Sequence, residues 1–275
     1  MNINEKYKSL ISNIKSAERL AVAFSGGIDS AFLLYAASEA LGNKNIIAVT
    51  IKTLYFPERD LNDAIAFSES LNINHEIIDH IVPEHIRPNP LDRCYFCKKF
   101  EFSVIINKAR EFNISKVAAG LNADDPSDYR PGISAMNELD VLFPLQEVNL
   151  SKPEIRALAK EFNLSVWNKP ANACILSRIP YGDFITDETI NRIQEAEKIL
   201  QKEGFVNPRV RTSGKNASIE VEKSEIIKFK DEELYARIFK ALKALGYDNI
   251  AVDKKGYRTG SLNEGVVEQI KKPLV

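Results

Sequence analysis

The stretch Val22-Ala23-Phe24-Ser25-Gly26-Gly27-Ile28-Asp29-Ser30 constrains this chain more than any other. Leu20 to Phe24 is an apolar run of the length of a buried strand, and Ala31 onward, AFLLYAASEALG, reads as a helix stopped by Gly42. A turn of small residues joins the two. With little side-chain bulk, its backbone N–H groups can close on an anion, and the positive end of the helix dipole lies directly behind them. The expected object is a phosphate cradle at a strand-to-helix switch. Its string is not Gly-x-x-x-x-Gly-Lys-Ser/Thr, so it is a different device from the loop of that consensus. Two glycines alone would equally suit an ordinary corner; the whole string at this position argues for the cradle.

The rest of the first half supplies the sheet that carries such a cradle. Asn45 to Lys52 reads as a strand, Arg59 to Leu71 as a helix, His75 to Ile78 as a strand and CYFCKKFEFSVIINKAREFN as a long helix starting near Cys94. Lys116 to Gly120 is expected as a fourth strand, Val141 to Pro144 as a fifth, and Ser151 to Phe162 as a helix with Ser151 and Glu154 at capping-box spacing. Alternating strands and helices predict right-handed βαβ units and a parallel sheet, an α/β fold. Ligands of such sheets bind beyond the carboxyl ends of the strands, where Ser25 to Ser30 would lie. Trp167 to Gly182 has little periodicity and reads as a loop carrying special residues. From Thr186 the pattern changes: helix Asp187 to Glu203, strands Pro208 to Thr212 and Ala217 to Glu222, helix Asp231 to Leu245, and strand Asn249 to Asp253. A boundary near Gly182 is expected, with residues 1–182 as the α/β domain and 183–275 as a smaller α+β domain.

Length and charge narrow the function classes. A chain of 275 residues fits one large or two smaller domains. A net charge of −1 gives no global attraction to nucleic acid. No stretch is apolar over a membrane-spanning length, and MNINEKYKSLISNIK lacks a signal-peptide core, so a cytoplasmic protein with an amphipathic first helix is expected. His75, His80 and His85 are expected on a surface segment.

Three cysteines are too few for a disulfide framework. Cys94 and Cys97 share one helical face, and Cys174 lies in the later loop. Four readings compete. A redox pair leaves Cys174 unexplained; structural zinc needs a fourth ligand; inert thiols are the bland case. The fourth is a 4Fe–4S cluster on three thiolates with one iron open to an exogenous sulfide or substrate atom.

At this point a resemblance enters. Ser25 to Ser30 resembles the pyrophosphatase loop Ser-Gly-Gly-x-Asp-Ser of ATP-dependent PP-loop enzymes, which split ATP into AMP and pyrophosphate. Together with Asp128-Tyr129-Arg130-Pro131-Gly132, Asn168-Lys169-Pro170, Ser177-Arg178, Pro180-Tyr181-Gly182 and Arg209-Val210-Arg211, the chain from Met1 to about Asn263 is similar to the LarE family of sulfur transferases. The resemblance implies a PP-loop domain like the adenine nucleotide alpha hydrolases. It implies an enzyme that adenylates a carboxylate of a pyridinium dicarboxylate mononucleotide and releases a thiocarboxylate for a nickel-pincer nucleotide cofactor. Members with a C-x-x-C at the helix start bind an iron–sulfur cluster, and Cys94, Cys97 and Cys174 resemble that kind. Either the cluster or Cys174 itself is the sulfur source.

The roles that follow are expectations. Ser25, Gly26, Gly27, Asp29 and Ser30 hold ATP, with Gly120 and Asp125 beside them and Asp128 as a second-loop acid. In related enzymes Thr53 to Pro57 lies against adenine. Mg²⁺ is expected between the Asp29 carboxylate and phosphate, because two anions need a cation between them. Cys174, Asp29 and Lys98 are the candidate catalytic residues. Ser177, Arg178, Glu197, Arg209, Arg211 and Glu220 are the candidate substrate residues. Arg209 and Arg211 alternate on a strand and so face one side, which suits a nucleotide phosphate. Partners expected are the mononucleotide, a sulfide or other sulfur donor, and further copies of the chain, with no membrane and no nucleic acid. The competing functions are tRNA thiolation, amide ligation of the NAD or GMP synthetase kind, and a non-catalytic nucleotide sensor.

Overall fold

Leu20–Ala23 forms β1, and its four small or aliphatic residues are buried or nearly so. In the computed structural model, which describes residues 1–125, 131–170, 173–258 and 262, β1 sits between β2 (Ile46–Lys52) and β4 (Val117–Ala119), and β3 (Asn74–Asp79) lies outside β2. All pairings are parallel; Val22 lies level with Ala48 on one side and Ala118 on the other. The helices of this part are α1 (Ile3–Lys15), α2 (Ile28–Leu41), α3 (Glu58–Ser70), α4 (Arg93–Glu111), α5 (Pro131–Asn137), α6 (Pro144–Glu147) and α7 (Lys152–Glu161). Both sheet faces are covered, as a parallel sheet requires. Leu20 and Val22 pack with Phe32, Leu33 and Leu158 on one face; Ala21 and Val49 pack with Phe102 and Ile105 on the other.

Three expectations change. The helix after the cradle begins at Ile28, not Ala31, because Gly27 at φ −77°, ψ 159° is its extended N-cap; Asp29 and Ser30 therefore lie in its first turn. Val141 to Pro144 is not a strand: Leu142 makes one isolated parallel bridge to Ala118, and Pro144 starts α6. Proline has no N–H for a ladder and suits a first helical position. His75 is not a surface residue. It is half-buried on β3 between the Thr50 and Ser68 hydroxyls, at 2.8 and 2.9 Å. Burial lowers its pKa, partly opposed by Glu76.

The chain divides into two compact units: Met1–Ile81 with Asp92–Ala171, and Val82–Leu91 with Asn172–Val275. The expected boundary at Gly182 placed Val82 to Leu91 and the segment up to Gly182 in the first domain. Hydrogen bonds explain the difference. Gly182 N–H donates to Asn89 O at 2.9 Å and Ile185 N–H to Arg87 O at 2.7 Å. The Asn89 amide donates to the carbonyls of Ile179 and Pro180. The second unit holds α8 (Asp187–Lys202), β5 (Arg209–Ser213), β6 (Asn216–Glu220), α9 (Glu232–Ala244) and β7 (Asn249–Val252). Its sheet runs β5-β6-β7, antiparallel then parallel, over a core of Leu200, Val210, Ile219, Ile238 and Leu242. This is the α+β arrangement expected. Among the described residues, no helix is long and apolar enough to cross a membrane.

Candidate active site

The cradle is built from its backbone. Gly26 takes φ +68°, and a Cβ there would lie 2.8 Å from Asp60 O in the first turn of α3. Ser30 Oγ donates to Gly27 O at 3.0 Å and accepts from Ser25 N–H at 3.3 Å, closing the loop on itself. No side chain caps α2. Gly120, just past β4, backs the same turn: a Cβ there would lie 2.6 Å from Ser30 N. Thr53 Oγ1, at the end of β2, is buried with no hydrogen-bond partner among the described residues. An uncapped helix start behind a closed turn of small residues fits a phosphate chain.

Asp29 is the charged member of this turn. One carboxylate oxygen accepts from Lys152 Nζ; the other, Oδ1, is buried with no partner among the described residues. Burial raises its pKa; Lys152 lowers it, Asp125 raises it again, and Asn122 lowers it. A buried carboxylate with an unpartnered oxygen, beside a second acid, is a donor set that fits a hard divalent cation such as Mg²⁺. Asp125 itself folds back on its loop, accepting Asn122 N–H at 2.8 Å. Lys169 is bound to Asp60 at 3.0 Å and Asp63 at 2.7 Å, close behind Gly26. Asp128, with Tyr129 and Arg130, lies outside the described residues.

On α4, Cys94 is exposed and Cys97 half-buried, one turn apart. Tyr55 Oη lies 3.9 Å from Cys97 Sγ and 3.3 Å from Glu101. Lys98 pairs with Glu101 at 2.7 Å. Gly132, the glycine of the Arg130-Pro131-Gly132 string, lets α5 close on this turn: a Cβ there would lie 2.8 Å from Lys98 Cγ and 3.3 Å from Cys94 O. Two thiols one turn apart suit two ligands of one metal or cluster. Among the described residues no group of three or more His, Cys, Asp or Glu side chains is placed to hold a metal ion.

The second unit gathers the candidate substrate residues into one network. Arg178 forks onto Glu197 at 2.8 and 3.1 Å, with side chains 2% and 7% exposed. Its third nitrogen reaches Ala173 O at 2.9 Å, Cys174 O at 3.1 Å and Ser177 Oγ at 3.2 Å. Arg211 pairs with Glu220 at 2.5 Å and donates to Ser177 O at 2.8 Å. Arg209 is buried, donates to Asn207 Oδ1 at 2.6 Å and lies 5.6 Å from the Tyr257 ring centre. Burial lowers its pKa, with Arg178 adding to that and Glu197 opposing it. Cys174 is exposed on the loop that Arg178 ties down.

Nothing local in the sequence marks Lys152, Asp60 or Asp124. Lys152 follows a capping serine, so its pattern reads only as a helix start; nothing in spacing points it at Asp29, 123 positions earlier. Lys169 falls within the Asn168-Lys169-Pro170 string, and its pairing with Asp60 and Asp63 of α3 is a tertiary fact.

A parallel sheet in the order β3-β2-β1-β4, with the Ser-Gly-Gly-Ile-Asp-Ser turn opening α2, defines a PP-loop enzyme of the adenine nucleotide alpha hydrolase-like type. A family model described as NAD synthase matches residues 3–86. The chain is 34% identical to pyridinium-3,5-bisthiocarboxylic acid mononucleotide synthase of Lactiplantibacillus plantarum, over 94% of each chain. It belongs to that family, the LarE-type sulfur-transferring synthases. It is 32% identical to an uncharacterized protein of Synechocystis, over 95% of this chain and 98% of that one. It is 29% identical to the tRNA-specific 2-thiouridylase MnmA of Zymomonas mobilis, over 71% of this chain and 63% of the relative. Among solved structures, the NH3-dependent NAD synthetase of Campylobacter jejuni superposes with a TM-score of 0.47 at 17% identity, over 90% of this chain and 96% of that one.

Proposed function

We propose that this protein activates a carboxylate of a pyridinium dicarboxylate mononucleotide with ATP and converts it to a thiocarboxylate, in the making of a nickel-pincer nucleotide cofactor. The observation that carries the reading is the closed, uncapped turn at Ser25–Ser30 with the Asp29 carboxylate in its first helical turn. Membership of the synthase family supports the substrate class.

The balance is that of an adenylation. A substrate carboxylate oxygen attacks the α-phosphorus, and pyrophosphate leaves with the electron pair of the α–β bridge. A sulfide then attacks the acyl carbon, and AMP departs, leaving the thiocarboxylate. The N–H groups of the Gly26–Ser30 turn hold phosphate oxygens, and the Ser25 and Ser30 hydroxyls keep that turn closed. Mg²⁺, held by Asp29 with Asp125 near it, would neutralise the leaving pyrophosphate. In the second unit Arg211 would meet a substrate phosphate, a role supported by its being one-fifth exposed while Arg178 and Arg209 are buried. Arg178, Glu197 and Arg209 are buried beneath it and orient the Cys174 loop and β5.

With the mononucleotide present, AMP and pyrophosphate are expected in equal amounts, together with a product in which one oxygen is replaced by sulfur. ADP as the main nucleotide product would overturn the reading. The MnmA relatives make tRNA the competing acceptor; thiolated tRNA with no thiocarboxylate would favour it.

For the sulfur source we infer a 4Fe–4S cluster held by Cys94, Cys97 and Cys174, from the count of thiols alone. Protein purified without oxygen should then carry about four iron and four labile sulfide per chain, and each cysteine-to-alanine change should lower both. Iron-free, active protein that loses hydrogen sulfide from Cys174 on turnover would make that cysteine the donor instead.

A further inference from the structure

Lys152 is held in an arrangement that a simple structural ion pair does not need. Its own N–H, the first of α7, donates to Asp124 Oδ2 at 2.8 Å. The Asn122–Asp125 loop is braced in turn by Asp124 N–H to Asn122 Oδ1 at 2.9 Å. The base of the lysine is therefore fixed while its four-carbon stem stays able to swing. The ammonium ends on Asp29, whose side chain is 18% exposed, while the lysine keeps 29% of its own surface in solvent. Asp29 Oδ1 is buried with no hydrogen-bond partner among the described residues, and Asp125 adds a second negative charge to its surroundings. Lys169, the neighbouring lysine behind Gly26, is by contrast shared between Asp60 and Asp63.

We propose that Lys152 is an exchangeable internal counter-ion of the phosphate site: its ammonium neutralises Asp29 until a divalent cation takes that carboxylate, and it then turns to the phosphate chain. A divalent cation on Oδ1 would stand beside the ammonium on Oδ2 of the same carboxylate, and two like charges at that range repel, so the two compete. The displaced ammonium, on a stem whose backbone N–H is held by Asp124, stays within reach of the first turn of α2, where phosphate oxygens would bring the next available negative charge. The exchange keeps the charge of the site near balance whether or not metal and nucleotide are bound. This rests on the ATP reading above and needs no sulfur acceptor.

Manganese binding without nucleotide, followed by electron paramagnetic resonance, tests the competition. Lys152→Met should bind Mn²⁺ about tenfold more tightly than the unaltered protein, the size of one charge-assisted contact removed. Adding Asp29→Asn to that variant should abolish the gain. The same Lys152→Met protein should bind the Mn²⁺ complex of α,β-methylene-ATP about tenfold more weakly, since the phosphate contact is lost. Unchanged Mn²⁺ affinity, or unchanged nucleotide affinity, would overturn the exchange. A second measurement uses the unaltered protein and so is independent of variant folding. Mg²⁺ alone should raise the reactivity of Lys152 toward an amine-acetylating reagent, read by peptide mass spectrometry, and the added ATP analogue should suppress it again. Reactivity indifferent to Mg²⁺ would overturn the proposal. Because no acceptor is present in either test, their failure leaves the thiocarboxylate reading standing. Failure of that reading, with nucleotide still bound, leaves the exchange standing.

Discussion

Replacing Glu197 with alanine is expected to cost about 3–5 kcal/mol of stability, the range for removing one partner of a buried ion pair. The Arg178 guanidinium would stay in place with its fork unanswered, in surroundings where its side chain is 2% exposed. Glu197 also accepts Val210 N–H at 3.0 Å, so a buried backbone donor on β5 would lose its partner as well. Urea denaturation followed by circular dichroism gives the number. The paired replacement Arg178→Met with Glu197→Leu should recover the part of the loss that comes from the unanswered guanidinium, while the Val210 N–H stays without its partner. If Glu197→Ala proved as stable as the unaltered chain, the pair would be acting on a ligand and not on the fold. The pair also ties the carbonyls of Ala173 and Cys174 to α8, so Cys174 should become more reactive to thiol reagents in the same variant.

The second large effect is expected at Gly120. A Cβ there would lie 2.6 Å from Ser30 N and 2.8 Å from Asp29 C, both backbone atoms, so the first turn of α2 must move away from β4. A displacement on the order of 1 Å at a phosphate cradle is expected to weaken nucleotide binding by about a hundredfold. Titration calorimetry of Gly120→Ala with an ATP analogue checks this. Gly204→Ala is the control. That glycine has a positive φ of 85° but nothing near its Cβ position, so it should lose stability and keep its nucleotide affinity. Equal affinities for Gly120→Ala and the unaltered protein would place the phosphates elsewhere.

Much of this site could be read from the residues in order. The string Ser25 to Ser30 announces a strand-to-helix turn because the small residues, the preceding apolar run and the following helix are all local. Ser151 and Glu154 announce the start of α7 for the same reason, and Glu154 does accept the Ser151 N–H at 2.8 Å. Arg209 and Arg211 alternate on a strand, and β5 carries them so. What each arginine meets was not legible. Glu197 and Glu220 read as acids of a second domain, and only the fold shows each one facing an arginine. The fifth strand failed because Val141 to Phe143 has the apolar character of a strand, while Pro144 stops the ladder after one bridge.

The sequence by itself determined the periodicities, the turn chemistry and the family, because each is carried by residues within a few positions of one another or by matched strings along the chain. The tertiary structure alone decided the ionic partners. Asp29 meets Lys152 across 123 positions, Lys169 meets Asp63 across 106, and Arg178 meets Glu197 across 19. Charged side chains find partners according to which helices the sheet and the two cores bring alongside, and burial makes those pairings obligatory. The same reason moved Val82–Leu91 into the second unit: the backbone groups of Arg87 and Asn89 are satisfied there, by Ile185 and Gly182, and no local pattern records that need.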